Sequence, residues 1–178
     1  FEKYFDFRGM DIAYHFYQEL FYQKYTATFF NQAWIGTFST KKERNCDLST
    51  LSNNFETITK ITALELTDNQ INDIYPIRIL NKTRQLNLSN NNIKVLAPLQ
   101  ILSNLEELNL SHNEISDITP IIQLKRLTFL DLSNNQIKNI DSLYSLTNLA
   151  NLDLSNNPLP SQSIKDLQNK LPHCAINH

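Results

Sequence analysis

Residues 61–82 read ITALELTDNQINDIYPIRILNK, and the 22-residue frame they set recurs four more times. The later copies are TRQLNLSNNNIKVLAPLQILSN (83–104), LEELNLSHNEISDITPIIQLKR (105–126), LTFLDLSNNQIKNIDSLYSLTN (127–148) and LANLDLSNNPLPSQSIKDLQNK (149–170). In register they share the pattern LxxLxLxxNxIxxIxxLxxLxx. The fourth position holds Leu64, Leu86, Leu108, Leu130 and Leu152, and the sixth holds Leu66, Leu88, Leu110, Leu132 and Leu154. The ninth is Asn69, Asn91, Asn113, Asn135 and Asn157. A fixed period of this length predicts one stacked supersecondary unit per copy.

Each position has a physical reason. Leucines two apart on a short strand point to the same inner side, and the residues between them point out. The asparagine that follows can bond backbone groups that no sheet ladder satisfies, so stacked coils predict an asparagine ladder. Ile74, Ile77 and Leu80 are spaced by three, which suits a 3₁₀-like return on the outer side. Pro76, Pro98 and Pro120 share one phase of that return, where φ is fixed near about −65°, and Ser142 stands there in the fourth copy. One coil cannot bury its own leucines, but a stack shares a continuous core. Each buried leucine contributes about 1.5–3 kcal/mol.

These residues closely resemble the 22-residue leucine-rich repeats of bacterial internalins and of the phosphatase-regulatory SDS22-like class. Asp73-Ile74-Tyr75-Pro76-Ile77 and Asp117-Ile118-Thr119-Pro120-Ile121 carry the D-I-x-P-I/L return typical of that class. The resemblance implies an α/β solenoid: a right-handed, curved leucine-rich-repeat solenoid with short parallel strands on the concave face. It also implies 3₁₀-like returns on the convex face, helical N- and C-terminal caps, and a protein ligand bound on the strand face.

The flanks differ in composition. Residues 1–45 hold 14 of the 18 aromatics. From Asp11 to Lys24, Ala13 or Tyr14, Tyr17 and Leu20 or Phe21 follow helical spacing, with Asp11 as N-cap, so this segment is read as helical and aromatic-rich. Residues 46–60, with Phe55 and Ile58 at late repeat positions, read as an N-terminal cap or partial repeat whose strand is missing. Five coils occupy 61–159. Residues 160–178 read as a C-terminal cap: a helix over Ser161–Leu171, stopped by Pro172, then an extended stretch from His173 to Ile176.

The rest of the sequence excludes more than it adds. A net charge of −2 lacks the basic face of a nucleic-acid binder. No apolar run approaches the ~18 residues of a membrane span. Two glycines, Gly9 and Gly36, allow no phosphate loop. The four histidines show no ligand spacing, and there is no CxxC, so neither metal nor cofactor is expected. His173 beside Cys174 does not make a nucleophile–base pair, because neighbours on an extended stretch point opposite ways. Cys46 and Cys174 are separated by five coils at about 4.8 Å each, too far for a bridge needing Cα atoms within about 7 Å. Each is read as a buried cap thiol. The sequons at Asn81, Asn87 and Asn109 follow from the repeat itself.

What remains is an outward face. Its seventh column (Thr67, Ser89, Ser111, Ser133, Ser155) is too uniform for recognition. The fifth column is polar and acidic: Glu65, Asn87, Asn109, Asp131, Asp153. The third varies most: Ala63, Gln85, Glu107, Phe129, Asn151. The expected partner-binding set is therefore Glu65, Gln85, Asn87, Glu107, Asn109, Phe129, Asp131, Asn151 and Asp153, with Phe129 as hot spot. His112 alongside would make binding pH-sensitive. The acidic surface favours a protein partner with a basic patch.

The expectation is a non-enzymatic protein-interaction module, serving host interaction or adhesion. Two other readings stand beside it: a cytoplasmic SDS22-like regulator, and a spacer whose aromatic N-terminus does the binding. Asparagine-rich repeats and a first residue that is Phe1 and not Met favour a bacterial protein, secreted or on the cell surface. Oligomeric state is not encoded legibly.

Overall fold

The leucine pairs of the repeat become three-residue strands. The computed structural model describes residues 4–6 and 61–178. Its seven strands are β1 (Tyr4–Asp6), β2 (Ala63–Glu65), β3 (Gln85–Asn87), β4 (Glu107–Asn109), β5 (Phe129–Asp131), β6 (Asn151–Asp153) and β7 (Ala175–Asn177). They form one parallel sheet whose spatial order is the chain order. Register sets like repeat positions opposite each other, so Leu64, Leu86, Leu108, Leu130 and Leu152 face in as one row, continued by Ile176. A slip of one residue would turn that row to solvent, so burial fixes the pairing.

Opposite the sheet, each return makes a 3₁₀ turn: η1 (Tyr75–Ile79), η2 (Ala97–Ile101), η3 (Thr119–Gln123) and η4 (Asp141–Ser145). Pro76, Pro98 and Pro120 stand second in the first three, where a missing N–H leaves no intrahelical bond unmade. The residue two before the turn closes η1, η3 and η4, whereas η2 has Val95 there, with no side-chain acceptor. Asp73, Asp117 and Asn139 accept the first N–H of the turn, from Tyr75, Thr119 and Asp141, each at 2.8 Å. That bond is the physical content of the acidic residue in the D-I-x-P motif. It also holds the Asp117 carboxyl below its usual pKa, through the Thr119 side chain first and the Thr119 N–H second.

Between sheet and returns runs one core, from Ile61 through the leucines and isoleucines of every coil to Leu171 and Cys174. The asparagine ladder is its polar seam. Asn113 donates Nδ2 to the carbonyls of Leu88 (3.0 Å), Leu110 (3.1 Å) and Ser111 (3.2 Å), and its Oδ1 accepts Ile93 N–H at 2.9 Å. Asn91 and Asn135 repeat the set one coil away on either side. These amides are buried and their bonding groups used, which is the condition for placing polar groups in a core.

A turn this sharp usually takes glycine, and none is available in the repeats. The eighth position instead adopts positive φ in every coil: Asp68 (60°), Asn90 (53°), His112 (53°), Asn134 (55°) and Asn156 (57°). Aspartate, asparagine and histidine are the non-glycine residues that best tolerate this region. The His112 position is therefore set first by backbone conformation.

The C-terminal end is closed by α1 (Ser161–Lys170), which buries Ile164 and Leu167. The chain then adds β7 to the sheet, with Ala175 N–H donating to Ala150 (2.8 Å) and Leu154 N–H to Asn177 (2.8 Å). Cys174 is buried, and burial pushes its thiol pKa up. At the other end β1 pairs with β2, Phe5 opposite Leu64. The expected helix over Asp11–Lys24, the cap at 46–60 and Cys46 lie outside the described residues.

Candidate functional site

Two columns share the outward face of the sheet, and the structure separates them by their bonding. In the fifth column each side chain of β3–β6 closes its own strand end. Asn87, Asn109, Asp131 and Asp153 accept, through Oδ1, the N–H two residues on, from Ser89 (3.0 Å), Ser111 (2.9 Å), Ser133 (2.9 Å) and Ser155 (2.8 Å). This is the local turn that short Asn and Asp side chains make best. Glu65 is engaged differently, accepting the Thr67 hydroxyl. The column is half-buried throughout.

Asp153 is the most committed of these. Its Oδ1 also accepts the Ser155 hydroxyl (2.6 Å), and its Oδ2 accepts Asn177 Nδ2 (2.7 Å), tying β7 to β6. Burial pushes its pKa up, but the bonds from Ser155 and Asn177 outweigh this and hold it below the usual carboxylate value. Its polarity is thus accounted for by closing the sheet. Asp131 keeps one carboxylate oxygen without a partner among the described residues.

The third column is different. Gln85, Glu107, Phe129 and Asn151 are exposed, and the side chains of Gln85 and Glu107 make no bond or ion pair among the described residues. Ala63, first in the column, is 5% exposed. Phe129 is 38% exposed and stands directly across from Glu107 in the ladder. Between the two columns lies an open depression of about 230 Å³ over β2–β5, bounded by Glu65, Gln85, Asn87, Glu107, Asn109 and Phe129.

The structure therefore brings six of the ten expected residues to one depression. Asp131, Asn151 and Asp153 stand beyond its Phe129 end and do not line it. His112 is off the sheet, on the left-handed column, with Nε2 at 3.2 Å from Asn134 Nδ2, while Asn156 Nδ2 donates to Asn134 Oδ1 at 3.0 Å. It belongs to a polar ladder along the rim.

Charge is segregated around the coils. Among residues 61–160 the cations are Arg78, Lys82, Arg84, Lys94, Lys125, Arg126 and Lys138, and none occupies the third, fifth or seventh column. Arg84 pairs with Glu106 (2.7 Å) at the residues just before β3 and β4, and Lys94 with Glu114 (3.1 Å) beyond the strands. The Arg84 bond, opposed by partial desolvation, keeps the Glu106 carboxyl below its usual pKa. Among the described residues, the outward columns of β2–β6 carry Glu65, Glu107, Asp131 and Asp153 with no cation between them.

No group of three His, Cys, Asp or Glu side chains able to hold a metal occurs among the described residues. No helix among them is long and apolar enough to cross a membrane.

The comparisons with known proteins agree with this architecture. A family profile for leucine-rich repeats, in two copies, matches residues 84–123 and 125–169, and one for a single leucine-rich repeat matches 57–74. No curated protein matches the sequence. Among solved structures, an internalin from Listeria monocytogenes is similar at 26% identity and a TM-score of 0.58, over 67% of this chain. Internalin C2 from the same organism is similar at 29% identity and a TM-score of 0.54, over 66% of this chain. A leucine-rich-repeat protein of Leptospira interrogans shares the fold at 24% identity and a TM-score of 0.57, over 77% of this chain. The chain spans only 41% of the first internalin and 61% of internalin C2. With profiles over more than half its length and the bacterial internalins alike in structure, the chain belongs to the leucine-rich-repeat family, whose members are protein-interaction modules.

Proposed function

We propose that this chain binds a protein partner on the concave strand face, in the depression between Glu65 and Phe129, and does so without catalysis. The observation that carries this reading is the third column. It is the one column of the strand face whose side chains vary from coil to coil, stand exposed and are not spent on the backbone. An exposed aromatic on such a rigid scaffold is the residue type that dominates interface energetics. The likeness to internalins supports a bacterial protein acting at the cell surface or after secretion, in host interaction or adhesion.

The test is affinity capture with the intact chain and with a Phe129→Ala/Glu107→Lys variant. Glu107 is the better charge to reverse than Asp131, because Asp131 also closes its strand end through Ser133. The expected outcome is a captured protein that the double variant loses while Val95→Ser, on an exposed site off the strand face, retains it. Equal capture by all three would overturn the concave-face assignment.

A further inference from the structure

We infer that the partner is anchored by an arginine side chain, its guanidinium stacked on the Phe129 ring and paired with the Glu107 carboxylate. The inference rests on the concave-face reading and assigns the chemistry that the depression selects.

The first ground is geometric. Glu107 and Phe129 are direct partners across β4 and β5. Neighbouring strands lie about 4.8 Å apart, and a cation over an aromatic face sits within about 6 Å of its centroid. A guanidinium lying on the ring is thus within reach of the adjacent carboxylate. The molecule builds a cation–aromatic contact of this kind on its opposite side, where the Arg78 guanidinium lies 4.8 Å from the Tyr75 ring centre.

The second ground is which carboxylates are free. Asp153 has both oxygens engaged, Glu65 accepts Thr67, and Asp131 gives one oxygen to Ser133. Glu107 alone of the four has its side chain without a bond among the described residues, and it alone borders the aromatic ring within the depression. The anchoring charge is thereby placed at one residue.

The third ground is complementarity. Among the described residues, the outward columns of β2–β6 hold four carboxylates and no lysine or arginine, so their field draws cations. The depression runs across β2–β5 from Glu65 to Phe129 as one open trough. An incoming side chain can therefore lie across the strands, aliphatic stem over the floor and head at Phe129. Arginine fits better than lysine because its planar fork both stacks on a ring and bonds a carboxylate through two N–H groups.

The probe is acetyl-Gly-Arg-Gly-amide, titrated into the full ¹⁵N-labelled chain and followed by amide chemical shifts. Two matched peptides carry lysine or citrulline, the latter keeping the shape of arginine without its charge. Saturable shifts centred on β4 and β5 are expected with the arginine peptide. Citrulline should bind roughly tenfold more weakly and lysine several-fold more weakly. Phe129→Leu and Glu107→Gln should each weaken the arginine peptide by roughly threefold to tenfold. Glu114→Gln, off this face, should leave it unchanged.

Equal shifts with citrulline, shifts away from β4 and β5, or no saturable shift would overturn the proposal. Equal affinity for lysine would overturn arginine in favour of charge alone. Any of these leaves the concave-face reading standing if the Phe129→Ala/Glu107→Lys variant still fails to capture the partner. Undiminished capture overturns both.

Discussion

The ninth and third columns run the length of the same solenoid, one coil apart at every step, and their polar residues have opposite fates. The asparagines of the ninth column are identical in every coil, buried in the first four and part-buried at Asn157, and bonded to backbone groups of their own and the neighbouring coil. The third column has Gln85, Glu107, Phe129 and Asn151 in succession, exposed and unspent on the fold. Regularity with full bonding marks what the stack needs. Irregularity with free valences marks what it has left to offer a partner.

The largest effect expected from breaking this contrast is at the ladder. Asn113→Ala removes three donated bonds and strands Ile93 N–H inside the core. A loss of about 3 kcal/mol is expected, read as a Tm drop of roughly 6–12 °C by calorimetry. A drop no larger than that of a surface substitution would mean the ladder is ornament.

Next comes the left-handed turn. His112→Ala keeps the β-carbon that histidine already places at φ 53°, whereas His112→Gly removes it and should be the more stable of the two by about 1–2 kcal/mol. Denaturant melts of the pair should separate them in that order. If alanine is tolerated as well as glycine, backbone conformation is not what selects the residue.

Asp131 sharpens the comparison inside the outward face. Asp131→Ala loses the bond to Ser133 N–H and should cost about 1 kcal/mol. Asp131→Asn should move stability by less than about 0.5 kcal/mol, since Asn87 and Asn109 make the same bond. Equal destabilisation by both would show that charge, and not the turn, is what the position supplies.

Acid should act through the same local turns. The Asp117 and Asp153 carboxyls are held below their usual pKa by bonds to their neighbours. Their contribution is therefore full above the unfolded carboxylate value of 3.8 and is lost as pH falls through the lower folded values. An Asp117→Asn chain should show a shallower fall in Tm between neutral pH and pH near 3 than the parent.

The fold was legible because the repeat states it five times over. The leucine rows, the asparagine ladder and the proline phase of the returns each have one physical solution. The outward face was less legible. Asn87, Asn109, Asp131 and Asp153 look like a recognition column in sequence, yet each also closes a strand end. The signal was present: every one is two residues before a serine whose N–H has no strand partner within its own coil. Along a single coil His112 reads only as a residue that makes binding pH-sensitive, and its positive φ is not announced there. Reading down the eighth column, with aspartate, asparagine and histidine throughout, would have shown it. At the N-terminus, Tyr4–Asp6 pair with β2, Phe5 opposite Leu64, a strand that no repeat copy in that part of the sequence announces.

The smallest expected effect on stability accompanies the largest on binding. Replacing Phe129 and Glu107 removes surface that makes no internal bond, so the melting temperature should shift by no more than about 1–2 °C. The decisive measurement is the affinity of the Phe129→Ala/Glu107→Lys chain for a captured partner, taken alongside its Tm. A loss of at least about tenfold at a conserved Tm is the predicted result. An unchanged affinity would contradict the assignment of recognition to the third column.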